Sequence, residues 1–180
     1  IKDDCIVAWA MNGEALRPEQ GYPARLVVPG WEGNMWVKWI RRLEFGDKPY
    51  MTREETSKYT DLLTDGKARM FTWVMEAKSV VTSPSPEKPI LHKGIQQLRG
   101  LAWSGKGKIK RVDVSLDGGK NWRTAQLHAP IMSKSLVRFT LPFEWSGEEL
   151  LIQSRAIDET GYVQPCLLYT SPSPRDQLGS

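Results

Sequence analysis

Two basic residues and the loops beside them are the part of this 180-residue chain whose types and spacing could do chemistry. Arg25 follows the turn Gly21-Tyr22-Pro23 at a strand start, and Lys38 follows the glycine-containing loop Pro29-Gly30-Trp31-Glu32-Gly33-Asn34. Loops of this kind let backbone N–H groups approach a phosphate, while Arg supplies a bidentate fork and Lys a point charge. The chemistry on offer is anion binding. An Arg and a Lys at this separation also describe ordinary surface charges, which contribute little, and spacing does not choose between the two. No Ser/His/Asp arrangement, paired-carboxylate motif, P-loop or dinucleotide glycine fingerprint accompanies them. Cys5 and Cys166 fit neither a disulfide framework nor a zinc site, and His92 and His128 are lone histidines. Cys5 sits in an apolar strand and reads as buried structure, so no metal ligand is expected within the chain.

The elements that must position these residues are short strands and turns. An apolar run over residues 6–10 leads into the turn signal Met11-Asn12-Gly13-Glu14, and two prolines and a glycine punctuate residues 16–23. Residues 25–28 form a β-branched run stopped by Pro29-Gly30, residues 36–44 alternate as a further strand, and residues 49–66 are polar loop with a helical turn. Pro84, Pro86 and Pro89 make residues 80–89 an extended linker between residues 1–79 and 90–165. Strands at 95–103, 109–116, 122–127, 136–141 and 150–157 then predict an all-β sandwich. Val112, Val114 and Leu116 share one strand face, Asp117-Gly118-Gly119-Lys120 tolerates the positive φ of a hairpin, and Trp122 is expected to return to the core. Trp103, Trp122 and Trp145 read as packing residues. Residues 166–180 are Ser/Pro-rich, without strand pattern, and read as foreign to what precedes them or as a natural disordered tail.

A net charge of +4 is spread among acidic residues rather than gathered in a basic stripe, so no nucleic-acid partner is expected. No run of about 20 apolar residues suggests a membrane span, and no signal peptide is read. The chain begins at Ile1, which reads as a cut. Eight Trp favour well-packed folded domains.

The ordered set Met11-Asn12-Gly13, Gly21-Tyr22-Pro23-Ala24-Arg25-Leu26-Val27-Val28-Pro29-Gly30, Gly33 and Val37-Lys38-Trp39 closely resembles the pterin-binding domain of the sulfite oxidase family. Gly100-Leu101-Ala102-Trp103-Ser104-Gly105 and the run from Val112 through Asp117-Gly118-Gly119-Lys120-Asn121-Trp122 resemble the same family's dimerisation domain. Together they span nearly all of residues 1–165 in the family's order. The resemblance implies a mostly β, α+β chain: the C-terminal part of a molybdopterin-binding domain followed by an immunoglobulin-like (E-set) β-sandwich dimerisation domain. Trp31-Glu32-Gly33-Asn34, Tyr59 and the ending Ser154-Arg155-Ala156-Ile157-Asp158-Glu159-Thr160-Gly161-Tyr162-Val163-Gln164-Pro165 look most like the family's sulfane dehydrogenase branch.

By that resemblance, Arg25 and Lys38 hold the terminal phosphate of molybdopterin, with backbone groups at Trp36 and Val37 contributing. Gln20 stands where animal enzymes carry a pterin-contacting histidine, and its amide can still donate and accept. Tyr59 stands at the spacing of an active-site tyrosine that assists substrate binding or proton transfer, and its other reading is a partly buried loop tyrosine. The molybdenum-ligating cysteine is expected upstream of Ile1, and a substrate-binding arginine beyond Pro165, so the fragment alone is expected to be inactive. The implied parent is a periplasmic enzyme that oxidises carrier-bound sulfane sulfur or sulfite and passes electrons to a c-type cytochrome subunit bearing haem c. It would be a homodimer or hetero-oligomer. A sulfite dehydrogenase of the same family and a non-enzymatic immunoglobulin-like assembly module are the rivals.

Overall fold

Asn12 and Gly13 take φ of +53° and +82°, which closes a tight hairpin of the type I′ kind near the start of the chain. This computed structural model describes residues 4–48, 50–58, 60–62, 65–70 and 73–165. The chain divides into two units, Ile1–Met75 and Glu76–Ser180. In the first unit the strands are β1 (Ile6–Ala8), β2 (Ala10–Met11), β3 (Glu14–Ala15) and β4 (Arg25–Val27). β1 pairs antiparallel with β4, setting Ala8 opposite Arg25, and β2 pairs with β3 across the Asn12-Gly13 turn. Leu16 and Val28 are the buried apolar side chains here among the described residues. A short helix α1 (Arg53–Lys58) precedes the antiparallel pair β5 (Thr60–Leu62) and β6 (Ala68–Met70).

Residues 36–44 do not form the expected strand. Trp39 adopts φ +54°, a conformation outside the β region, and this breaks the alternation. The segment is tied instead by single bonds: Leu26 N–H to Val37 O at 2.8 Å and Ile40 N–H to Ala24 O at 2.9 Å. Cys5 precedes β1 and is only half-buried, unlike the buried position expected of it, because β1 leaves Ile6 and Val7 exposed.

The second unit is a sandwich of seven strands: β7 (Lys78–Ser83), β8 (Gly94–Trp103), β9 (Ile109–Ser115), β10 (Arg123–Thr124), β11 (Gln126–His128), β12 (Val137–Trp145) and β13 (Gln153–Asp158). One antiparallel sheet runs β7-β8-β12-β11 and the other β10-β9-β13. Lettered in chain order these are A-B-E-D and C′-C-F, the immunoglobulin arrangement. The chain changes sheet at Ala125, which is buried and donates its N–H to Val112 O at 2.8 Å. Alternation along β8 and β12 points Leu98, Ala102, Val137, Phe139, Leu141 and Phe143 inward, where they meet Val112, Val114 and Ala156. Register sets Phe139 opposite Gly100. A Cβ at position 100 would strike the Phe139 ring and come within 2.5 Å of Val80 O, so the close approach requires glycine.

Two sequence readings change here. Residues 80–83 belong to β7 and pair with β8, so the extended chain expected of a linker is sheet edge up to Ser83, with a cis bond at Ser83-Pro84. Proline-rich composition marks where pairing stops, because proline cannot donate to a ladder. Trp122 does not enter the core. It is half-buried on the sheet's outer side, with the Arg155 guanidinium 4.1 Å from its ring, and Arg155 also pairs with buried Asp113. The hairpin at Gly118 and Gly119 has the positive φ its residues predict, +74° and +92°.

Candidate functional site

β4 and the turn before it bring Arg25 and Lys38 together around Gly21. Gly21 takes φ +112°, and a Cβ there would lie 3.0 Å from Lys38 Cβ and 3.1 Å from Arg25 Cβ, so both basic side chains flank a backbone that only glycine suits. Residues 17–20 turn as a 3₁₀ helix over Pro18–Gln20, and each of their carbonyls accepts a hydrogen bond. Arg17 O takes the N–H groups of Gln20, Gly21 and Tyr22. Pro18 O takes Gly21 N–H and the Trp39 indole N–H, the latter at 2.8 Å. Glu19 O takes Lys38 Nζ at 2.5 Å, and Gln20 O takes Arg25 Nη1 at 3.1 Å. Partial negative charge on these carbonyls thus holds the two cations in place.

Arg25 reaches across to the following loop as well. Its Nη2 donates to Trp36 O at 3.3 Å, and its Cζ lies 5.9 Å from the Trp36 ring centre. That loop is a 3₁₀ turn over Gly33–Met35, closed by Trp36 N–H to Gly33 O at 3.1 Å. Trp36 Nε1 donates to Trp31 O, Trp31 stacks on Trp73 with ring centres 5.4 Å apart, and Glu32 N–H donates to Trp73 O.

A guanidinium offers five N–H donors and an ammonium three. Two of Arg25's donors and one of Lys38's rest on carbonyls, so the pair keeps donors for an anion. Arg25 Nε is buried and has no hydrogen-bond partner among the described residues. A buried donor of this kind carries a desolvation cost that an anionic oxygen would remove. The donor set therefore fits the terminal phosphate of a pterin cofactor.

The other sequence-assigned residues are placed as follows. Gln20 is half-buried, and its Oε1 accepts Arg17 N–H at 3.0 Å, which braces the turn beneath Arg25. The backbone of Trp36 is engaged within the chain at both N–H and C=O, and the Val37 carbonyl is taken by Leu26 N–H, leaving its side chain exposed. Tyr59 lies outside the described residues. Sequence reasoning quoted Trp39 and Asn34 within motifs but gave neither a role of its own at the site. The first locks the turn through its indole; the second has a buried amide, and a polar residue in a glycine-containing loop gives no sign of burial. Among the described residues no group of three His, Cys, Asp or Glu side chains could hold a metal ion. Nor is any helix among them long and apolar enough to cross a membrane.

Residues 1–54 match the oxidoreductase molybdopterin binding domain, and residues 69–171 match the Mo-co oxidoreductase dimerisation domain. The chain belongs to the molybdopterin oxidoreductase family that carries this dimerisation domain. Its structure is similar to that of the sulfane dehydrogenase SoxCD from Paracoccus pantotrophus, with a TM-score of 0.82 and 66% identity, covering 91% of this chain and 42% of that one. Sulfite oxidase of Gallus gallus is 34% identical over 90% of this chain and 38% of its own length. Nitrate reductase [NADH] 2 of Nicotiana tabacum is 33% identical over 90% of this chain and 21% of its own length. The chain thus spans well under half of each of these relatives.

Proposed function

We propose that this chain is part of a molybdenum-cofactor sulfur oxidoreductase of the sulfane dehydrogenase type, and that Arg25 and Lys38 anchor its cofactor through the terminal phosphate. The observation that carries the anchoring role is the convergence of both cations on Gly21, with Arg25 Nε buried and without a partner among the described residues. The 66% identity to the sulfane dehydrogenase supports sulfane sulfur as the substrate class. When bound, the cofactor supplies the two-electron oxidation of sulfur. The chain's own residues bind and orient it: the 17–20 carbonyls fix the two cations, the Trp31–Trp73 stack fixes the loop facing them, and the fixed donors avoid reordering on binding.

On the same reading, electrons leave to a c-type cytochrome subunit bearing haem c, the enzyme works in the periplasm, and residues 76–165 support a homodimer or a hetero-oligomer. These follow the resemblance to sulfane dehydrogenases. Arg25→Ala and Lys38→Ala in the full-length protein are expected to lower pterin bound per polypeptide by about tenfold or more each, a loss of charge-assisted bonds worth roughly 1.5–3 kcal/mol. Pterin is measured by fluorescence after oxidative release, and unchanged content in both variants would refute the anchoring role. Similarity to chicken sulfite oxidase favours sulfite dehydrogenase as a second reading. Purified enzyme that oxidises free sulfite as fast as carrier-bound sulfane sulfur would select it.

A further inference from the structure

Trp39 takes φ +54°, a region where a bulky side chain is an outlier. Such backbone persists only where its surroundings over-determine it. Burial is not what holds it, because 58% of the residue stays exposed. What holds it is the turn over residues 17–21. The Trp39 indole donates to Pro18 O at 2.8 Å and the Trp39 N–H to Gly21 O at 3.3 Å, while the Lys38 ammonium donates to Glu19 O at 2.5 Å. Two neighbouring residues thus grip one turn at three points. In extended chain successive side chains leave opposite faces, so a strand through 36–44 would bring only one of Lys38 and Trp39 to the turn. The left-handed step at Trp39 brings both, and Lys38 Nζ lies 5.7 Å from the indole ring centre. Pro18 O is filled by the indole and by Gly21 N–H. The ammonium rests on Glu19 O alone among the described residues and keeps its other donors for an anion.

We infer that Trp39 is a positioning residue for the cofactor phosphate: its strained backbone and its indole fix the Lys38 ammonium over the turn before the anion arrives. The inference rests on the anchoring role given to Lys38 above. Its physical content is preorganisation, since lysine is a flexible cation and ordering it at the moment of binding costs affinity.

The test compares Trp39→Gly, Trp39→Phe and Lys38→Ala, with the double variant of Trp39→Gly and Lys38→Ala, in the full-length holoenzyme. The measurement is the rate of pterin loss after dilution, followed by fluorescence after oxidative release. Glycine accepts the positive φ and removes the indole, and phenylalanine keeps a ring but has no N–H. Trp39→Gly is expected to speed pterin loss about fivefold or more, and Trp39→Phe by a smaller factor. Lys38→Ala is expected to speed it about tenfold or more, but by less than about threefold once Trp39 is already glycine, because a lysine no longer held in place has less to lose. A general loss of folding stability does not produce that coupling. Full multiplication of the two effects overturns the positioning role, as does unchanged loss in Trp39→Gly beside faster loss in Lys38→Ala; the phosphate anchor stands in both cases. Unchanged loss in Lys38→Ala removes the anchor and the positioning role together. If Trp39→Gly does not fold, Trp39→Phe takes its place in the cycle and the same outcomes decide.

Discussion

Asp158 is fully buried, and two opposing effects act on its carboxyl. Burial pushes the pKa up, but hydrogen bonds from the Thr160 and Ser104 hydroxyls and from the Tyr162 and Thr160 N–H groups outweigh it and hold the carboxyl below 3.8. A carboxyl with a folded pKa below its unfolded one adds stability that is fully present above the unfolded value. That stability is lost as pH falls through the folded value. Asp158→Asn is therefore expected to destabilise the protein by about 2 kcal/mol at pH 7. The gap in denaturant midpoint between it and wild type should narrow on acidification below pH of about 4. A gap independent of pH would show that the charge contributes nothing. At the Asp117 turn, the Asn121 N–H, the Asn121 side chain and the Ser115 hydroxyl together lower an exposed carboxyl to about 2, so this turn keeps its ionised cap in mild acid.

At the scale of elements, β8 and β12 are joined by the Phe139–Gly100 contact, and the two sheets by polar bonds at their edge. Ser79 Oγ lies 2.9 Å from Ser154 Oγ and donates to Gln164 Oε1 at 2.8 Å, and Gln164 Oε1 also accepts Ala156 N–H. The ending from Ser154 to Pro165, which carried part of the resemblance to the sulfane dehydrogenase branch, therefore holds strands together. Its Asp158, Gln164 and Ser154 each fasten one piece of the sandwich. Gly100→Val is expected to cost at least about 3 kcal/mol, because the ring and the Val80 carbonyl occupy the space a side chain needs. Chemical denaturation checks this, and a loss below about 1 kcal/mol would mean that the strands separate easily here. Legibility differed among elements for physical reasons. The long strands 95–103 and 109–116, bounded by glycine-containing turns, were placed within a residue of β8 and β9. The 36–44 alternation misled because one residue, Trp39, takes a left-handed conformation that its neighbours' hydropathy does not encode. The 122–127 segment was read as one strand, whereas it changes sheet at Ala125, a choice made by packing.

At the scale of the whole molecule the two units bury their apolar residues unequally. The second unit keeps a continuous core from Ala77 to Ala156. The first leaves Trp9 72% and Phe45 97% exposed, with Ile6, Val7, Trp39 and Met51 also open. Residues 76–165 alone are accordingly expected to unfold cooperatively with near-UV circular dichroism of fixed aromatic side chains. Residues 1–75 alone are expected to show neither. A cooperative transition from the first unit alone would show that its exposed apolar residues pack against one another.

The sequence by itself determined the order of the two parts and the turns at Asn12-Gly13 and Gly118-Gly119, and it offered the basic pair as an anion-binding candidate, since local conformational preference and residue chemistry are properties of short stretches. Only the tertiary structure decided what surrounds that pair. Four turn carbonyls converge on Arg25, Lys38 and neighbouring donors, and Trp39 folds back onto the same turn through its indole. Burial and hydrogen-bond satisfaction depend on residues distant in the chain, and no window of sequence contains them.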